Sequence, residues 1–290
     1  MINYHPNITQ VNHRIVIRPN QPWWRMDWRS VLDYRDLLWF LVVRDFSAIY
    51  KQSILGPLWF IIQPLATTIV FTVIFGQIAK ISTDGIPPLL FYMAGMVLWS
   101  YFQGVMNGVA GSLIGNAGVL GKVYFPRLIL PLSMVISNLA QFALNLFVFL
   151  AFYIYFYAYS ITKIHLTSWI AALPFLILQT AVVGLGVGLW MSAMTTKYRD
   201  LRFALPFLSQ LWMYATPIVY PASLVVSPGW NLCMAFNPMA GPVEAFRFMF
   251  FGIGRADLLY LGLGISSGWV LLLTGLIMFN RVQRTFVDTI

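Results

Sequence analysis

Charged residues are spaced so unevenly along this chain that they divide it into six uncharged stretches. No Asp, Glu, Lys or Arg occurs between Lys51 and Lys80, Asp84 and Lys122, Arg127 and Lys163, Lys163 and Lys197, Arg202 and Glu244, or Asp257 and Arg281. An α-helix needs ~20 mostly apolar residues to cross the hydrocarbon core of a bilayer, and each stretch is long enough. The pattern predicts an all-α integral membrane protein with six transmembrane helices, over residues 58–79, 89–113, 128–157, 168–194, 203–220 and 258–280.

Two segments follow other patterns. Over 31–52, Asp33, Asp36, Arg44, Ser47 and Lys51 recur at helical spacing on one narrow arc, while Leu37, Leu38, Leu41, Val42 and Phe46 cover much of the remainder. Such a helix lies in the membrane plane, its polar stripe facing water or a docked cytoplasmic partner. Between Pro221 and Asp257 the chain is apolar but interrupted by Pro228, Pro238 and Pro242, with Glu244 and Arg247 one helical turn apart. A full crossing there would put the C-terminus on the opposite side from the basic loops. Residues 222–254 are therefore expected to form a re-entrant hairpin dipping in from the outer face, against protein or a water-filled cavity. Residues 1–30 read as a cytoplasmic tail whose Trp23, Trp24 and Trp28 suit the headgroup layer, and 31–290 as a single transmembrane domain. The tail has no apolar core of a cleavable signal peptide, so the first span is expected to serve as the insertion signal. In the second span Gly104, Gly108, Gly111 and Gly115 form two overlapping small-xxx-small patterns that permit close helix contact.

The charges that remain define the orientation. The formal net charge is +9, and fourteen of the eighteen Lys and Arg fall in the segment up to Lys51, the loops with Lys122/Arg127 and Lys197/Arg199/Arg202, and the tail with Arg281/Arg284. Six helices threaded in order put all four regions on one side, and positive loops stay in the cytoplasm, so both termini are expected inside. The basic balance is thus topology and not a nucleic-acid footprint. Cys233 alone can make no intrachain disulfide.

Composition also limits the chemistry. Of 290 residues 59% are hydrophobic and 9% charged, and the spans leave no loop large enough for a catalytic domain. There is no Gly-rich lysine loop for nucleotide phosphates and no Cys/His cluster at metal-ligand spacing. His5, His13 and His165 are scattered and read as solvated or satisfied side chains. No two carboxylates share a loop suited to general acid/base work. Pumps and symporters usually place ionisable groups within the membrane. Here Glu244 and Arg247, at i and i+3, pair with each other. Energy for transport should therefore come from another subunit docked on the inner face.

The runs RDLLWFLVVRDFSAIYKQSILGPLWFIIQPL (Arg35 to Leu65), KVYFPRLILPLS (Lys122 to Ser133), KYRDLRFALPFLSQLWMYATPIVYP (Lys197 to Pro221), NPMAGPVEAFR (Asn237 to Arg247) and the terminal FVDTI occur in this order. Together they resemble the permease subunit of bacterial ABC exporters for O-antigen, capsular polysaccharide or teichoic acid. The likeness covers almost everything from Arg35 to Ile290. It implies a homodimeric permease of the bacterial cytoplasmic (inner) membrane that moves a lipid-linked polysaccharide. Two copies of a cytoplasmic ATP-binding subunit would carry the ATP and Mg, with no cofactor on this chain. Asp33, Asp36, Arg44 and Lys51 would then belong to an interface helix, and Lys122, Tyr124, Arg127, Tyr198, Arg199 and Asp200 to loops that touch the ATPase. Seventeen per cent of the chain is aromatic, and aromatic faces stack on sugars without demanding a fixed register. Candidates for the path are Trp59, Phe60, Phe71, Tyr92, Trp99, Tyr101, Phe102, Trp190, Trp212 and Tyr214, although for any single ring core packing or interfacial anchoring is the commoner role. Two other readings remain open: an ABC permease for a lipid or drug, and a membrane-embedded glycosyltransferase, which should show acidic residues in a sizeable loop.

Overall fold

In a computed structural model the described residues are 28–51, 55–116, 118, 125–159, 165–198, 200–225, 227–254 and 257–285. Helices account for most of them, and there is no strand among them. The elements are α1 (Trp28–Asp33), α2 (Arg35–Lys51), α3 (Trp59–Phe71), α4 (Pro88–Gly115), α5 (Ile129–Tyr159), α6 (Leu173–Lys197), α7 (Leu201–Ala215), α8 (Pro228–Phe236), α9 (Ala240–Phe251) and α10 (Leu258–Thr285). A wider π-type turn extends α3 over Thr72–Ile78, and a 3-10 turn, Ser168–Ala172, leads into α6.

Five of these elements are long and apolar enough to cross a membrane: Trp59–Ile78, Pro88–Gly115, Ile129–Tyr159, Ser168–Lys197 and Leu258–Gln283. Each lies within a few residues of an expected span, because a run without charges is the direct signature of a helix in lipid. The remaining expected span, 203–220, takes a different form. Its helix α7 has 15 residues and stops at Ala215, a length of ~22 Å at 1.5 Å per residue, short of the ~30 Å hydrocarbon layer. Thr216, Pro217, Ile218 and Val219 continue as buried, non-helical backbone. Pro217 explains the stop, since the residue before a proline is pushed out of the helical region, and Thr216 is extended at ψ 143°.

α4 is the hub. In its most apolar window 83% of residues are buried, against 11% for α3, and α3, α5, α6 and α9 all pack on it. Glycines on α6 make the closest of these contacts possible. A Cβ on Gly188 would lie 2.6 Å from Val109 Cβ, and one on Gly184 3.0 Å from Val105 Cβ, both on α4. On the opposite face of α6, a Cβ on Gly186 would lie 2.7 Å from the Leu272 amide nitrogen of α10. Lipid is as apolar as leucine, so helices in it associate through such close backbone contact. The small-residue pattern of the second span divides: Gly104 and Gly108 meet Asn138 and Met134 of α5, whereas Gly111 and Gly115 meet nothing within 4 Å.

Two ends of the bundle can be told apart by their cross-links. At one, the Ser223 hydroxyl donates to both oxygens of Asp84 in the α3–α4 loop, at 3.0 and 2.9 Å, and the Thr167 amide before α6 donates to Met249 O at 2.9 Å. The hairpin of α8 and α9 therefore begins and finishes at this same end. At the other end Arg44 of α2 bonds Asn116 at the close of α4 (3.1 Å), and α2 lies along α5.

Candidate functional site

A groove of about 720 Å³ opens beside the end of α7, walled by Trp212, Tyr220, Leu224, Trp230, Phe236 and Asn237 among others. Three proline-broken segments build it. α7 stops before Pro217, a short 3-10 turn follows Pro221, and α8 starts on Pro228. Trp230 and Phe236 present most or half of their surface outward, at 70% and 52% exposure. Trp212 is fixed: its Nε1–H donates to Asn237 Oδ1 at 3.1 Å and its ring meets the edges of Phe102 and Trp99. The groove combines flat aromatic faces with few hydrogen-bonding groups.

Beneath it lies a buried polar cluster. Arg247 on α9 is 1% exposed. Its Nη1 donates to Glu244 Oε1 at 2.9 Å and to Pro217 O at 2.6 Å, and its Nη2 to Ile218 O at 2.8 Å. The guanidinium sits 3.6 Å above the Phe91 ring of α4. Glu244 Oε1 also accepts the Ala222 amide at 3.4 Å. Asn237 holds the preceding carbonyl: its Nδ2 donates to Ala215 O at 3.3 Å and Thr216 Oγ1 at 3.0 Å, and its Oδ1 accepts Met239 N as well as Trp212. All four hydrogen-bonding positions of this amide are thus used. The carbonyls left over where α7 stops are the groups that need partners, and these two side chains supply them. Gly95 on α4 makes room, since a Cβ there would lie 2.9 Å from Ile218 Cγ2 and 3.4 Å from Arg247 Nη2. Gly254 closes the other side at φ 139°, where a Cβ would lie 2.9 Å from Glu244 O. The expected Glu244–Arg247 pair is formed, and its role as a helix-end partner was beyond sequence reading.

The other expected site residues scatter. Asp33 and Asp36 are exposed on α1 and α2. Arg44 is turned toward the bundle, bonded to Asp45 at 2.8 Å and to Asn116, in place of standing free on a polar stripe. The exposed residues of α2 include Trp39, Phe40 and Val43 beside Arg35 and Asp36. Arg127 is half-buried, and Tyr198 and Asp200 are exposed, with the Lys197 ammonium 5.3 Å from the Tyr198 ring. Lys122, Tyr124 and Arg199 lie outside the described residues, as do 1–27 and the side chain of Lys51. Among the aromatics, Phe71, Tyr92, Trp99, Tyr101 and Phe102 are buried and fill the core around α4. Trp190 is tied to Thr274 of α10 at 2.9 Å. Trp59 and Tyr214 are open, and Phe60 and Trp212 half so. Sequence reasoning passed over Tyr220, Trp230, Phe236 and Asn237. Asn237 stands in the quoted run NPMAGPVEAFR, but nothing in one sequence tells an amide that caps a distant helix from one in a loop.

A bundle of five long apolar helices around a largely buried hub, with a proline-broken hairpin at one end, is the architecture of a multi-pass membrane protein. The family model of the ABC-2 type transporter matches residues 36–251, three quarters of the chain, so the protein belongs to that family. It is similar to the O-antigen export system permease protein RfbA of Myxococcus xanthus, 28% identical over 265 residues that cover 90% of this chain and 98% of the relative. An RfbA of the same description from Klebsiella pneumoniae is 27% identical over 254 residues, covering 87% and 94%. The polysialic acid transport protein KpsM of Escherichia coli is 23% identical over 217 residues, covering 71% and 78%.

Proposed function

We propose that this chain is the membrane subunit of an ATP-driven exporter that moves a lipid-linked polysaccharide across the bacterial cytoplasmic membrane. The observation that carries this reading is the likeness, over 71–90% of this chain, to three proteins named for O-antigen export or polysialic acid transport. The chain is not itself an enzyme; ATP and Mg bind a separate cytoplasmic subunit, two copies of which work with two copies of this chain. α2 and the inner loops around Arg127 and Tyr198–Asp200, together with Lys122, Tyr124 and Arg199, dock that subunit. The glycan passes between the two permeases along open aromatic faces, those of Trp59, Phe60, Trp212 and Tyr214 and of the groove rings Tyr220, Trp230 and Phe236. The ten rings proposed from sequence thereby divide by exposure, since a ring with no open surface has nothing to stack on.

In this reading α7 and the hairpin together make the sixth, incomplete crossing, both termini are cytoplasmic, and the hairpin enters from the outside. The joining of Asp84 and Thr167 to the two ends of the hairpin supports this arrangement. Reporter fusions after Thr83 should read outside and fusions after Ile290 inside; an outside signal at Ile290 would overturn the topology. The decisive experiment for function is deletion of the gene together with that of its ATPase, followed by complementation. Surface glycan should disappear, return with the parent chain plus its ATPase, and fail to return with either subunit alone. Robust ATP turnover by the purified chain free of other subunits would sink the assignment.

A further inference from the structure

α7 is held to the rest of the protein very unevenly. Along its shaft only Leu205, Ser209 and Met213 are buried, and Phe203, Phe207, Leu208 and Leu211 stand exposed. The shaft is tied to a neighbouring helix where Gln103 Nε2 of α4 donates to Ser209 Oγ, at 3.2 Å. Its C-terminal end is the opposite. Ala215 O and Thr216 Oγ1 are taken by Asn237, Pro217 O and Ile218 O by Arg247, and the Ala222 amide by Glu244. All three partners belong to the α8–α9 hairpin. Three of the residues they grip, Thr216, Pro217 and Ile218, lie in the non-helical stretch Thr216 to Val219, the joint that would otherwise let α7 and the hairpin move apart.

We propose that Asn237 and Arg247 are coupling residues, which clamp this joint so that α7 and the hairpin move as one body. The chemistry suits the task. The guanidinium is a rigid fork that engages two successive carbonyls and a carboxylate at once, and the saturated amide of Asn237 fixes Ala215 O and the Thr216 hydroxyl just before them. Turning α7 against the hairpin would break these bonds together, and those of Arg247 lie in a buried site where no water replaces them. The seat is shaped for them too: Phe91 and Gly95, one turn apart on α4, receive the guanidinium and the turn. Because α7 starts directly after Tyr198 and Asp200, a push on that basic loop reaches the opposite end of the bundle through the clamp. This inference rests on the exporter reading only for the source of the push.

The test uses the complete transporter with its ATPase subunits in lipid nanodiscs, as parent, Arg247→Lys and Asn237→Ala. Lys keeps the charge beside Glu244 but cannot span both carbonyls, so it guards against simple misfolding. Hydrogen exchange is compared between nucleotide-free and vanadate-trapped states for peptides covering 205–222 and 228–251. In the parent, both segments should change protection together. In the variants the α7 segment should still change, while the hairpin no longer follows. ATP hydrolysis should persist as export per ATP falls about tenfold, within the usual range of a coupling free energy. A hairpin that still follows α7 in both variants would overturn the clamp. So would equal loss of hydrolysis and export, which is what a merely structural role gives, or a parent in which the two segments respond separately. The exchange arm needs no substrate, so it reads the clamp even if the glycan assignment fails.

Discussion

The seam where α6 meets α4 and α10 and the joint where α7 meets the hairpin are both tightly packed, by opposite means. At the seam, glycines remove side chains, and backbones touch; Gly188 approaches Val109 and Gly186 approaches Leu272. At the joint, polar side chains are added, and Arg247 and Asn237 reach for carbonyls that no helix satisfies. The difference follows from backbone state. Continuous helices satisfy their own peptide groups, so only van der Waals contact is left to gain between them. An unwound turn at membrane depth must find partners, and a buried ion pair is stable only when its remaining hydrogen bonds are also made. Seams of the first kind suit parts that stay fixed, and joints of the second kind suit parts that carry motion.

Perturbing the joint should produce the largest effects. Glu244→Ala leaves Arg247 without its carboxylate partner, and removing one member of a buried pair costs ~3–5 kcal/mol. The double change Glu244→Ala with Arg247→Ala should be more stable than that single change in thermal unfolding of the detergent-solubilised protein. If the single and double variants lose stability additively, the two side chains do not act as a pair. Next comes the seam. Gly188→Val forces a branched side chain into a 2.6 Å space against Val109, and overpacking of this kind costs ~1–3 kcal/mol. A variant that melts with the parent would mean α4 and α6 can slide, and the contrast between fixed seam and moving joint then fails. A smaller loss is expected at Asn145, whose Nδ2 donates to Ser100 Oγ at 3.1 Å between α5 and α4. Asn145→Leu should cost about 0.6 kcal/mol, the average for hydrogen bonds between membrane helices. The smallest belongs to Gly111→Ala, whose added methyl meets nothing within 4 Å, so stability should stay within ~0.5 kcal/mol of the parent. A larger loss, accompanied by a shift in oligomeric state, would place Gly111 against a second copy.

How much of this was legible beforehand depends on which physical quantity does the work. Spans over 58–79, 89–113, 128–157, 168–194 and 258–280 reappear within a few residues as five helices long enough to cross, because excluding charge and satisfying the backbone internally are local requirements that one sequence states outright. The prolines that break the hairpin are local in the same sense, and so is the i, i+3 relation of Glu244 and Arg247. The family likeness was legible as well, since it lies in the order of short runs.

Tertiary structure decided the rest. Uncharged composition let 203–220 pass for a full span, but Pro217 ends α7 early, and whether the freed carbonyls could remain buried depended on an arginine thirty residues later. Arg44 reads as part of a polar stripe until Asn116 and Asp45 are found beside it. Tyr92, Trp99, Tyr101 and Phe102 are indistinguishable by residue type from Trp230 and Phe236, and only packing around α4 separates rings that fill the core from rings that line an open groove. Hydrophobicity determines that a residue leaves water and says nothing of whether lipid, a neighbouring helix or a passing substrate receives it. Element positions therefore followed from the sequence alone, and the division of their faces from contacts that join residues far apart in the chain.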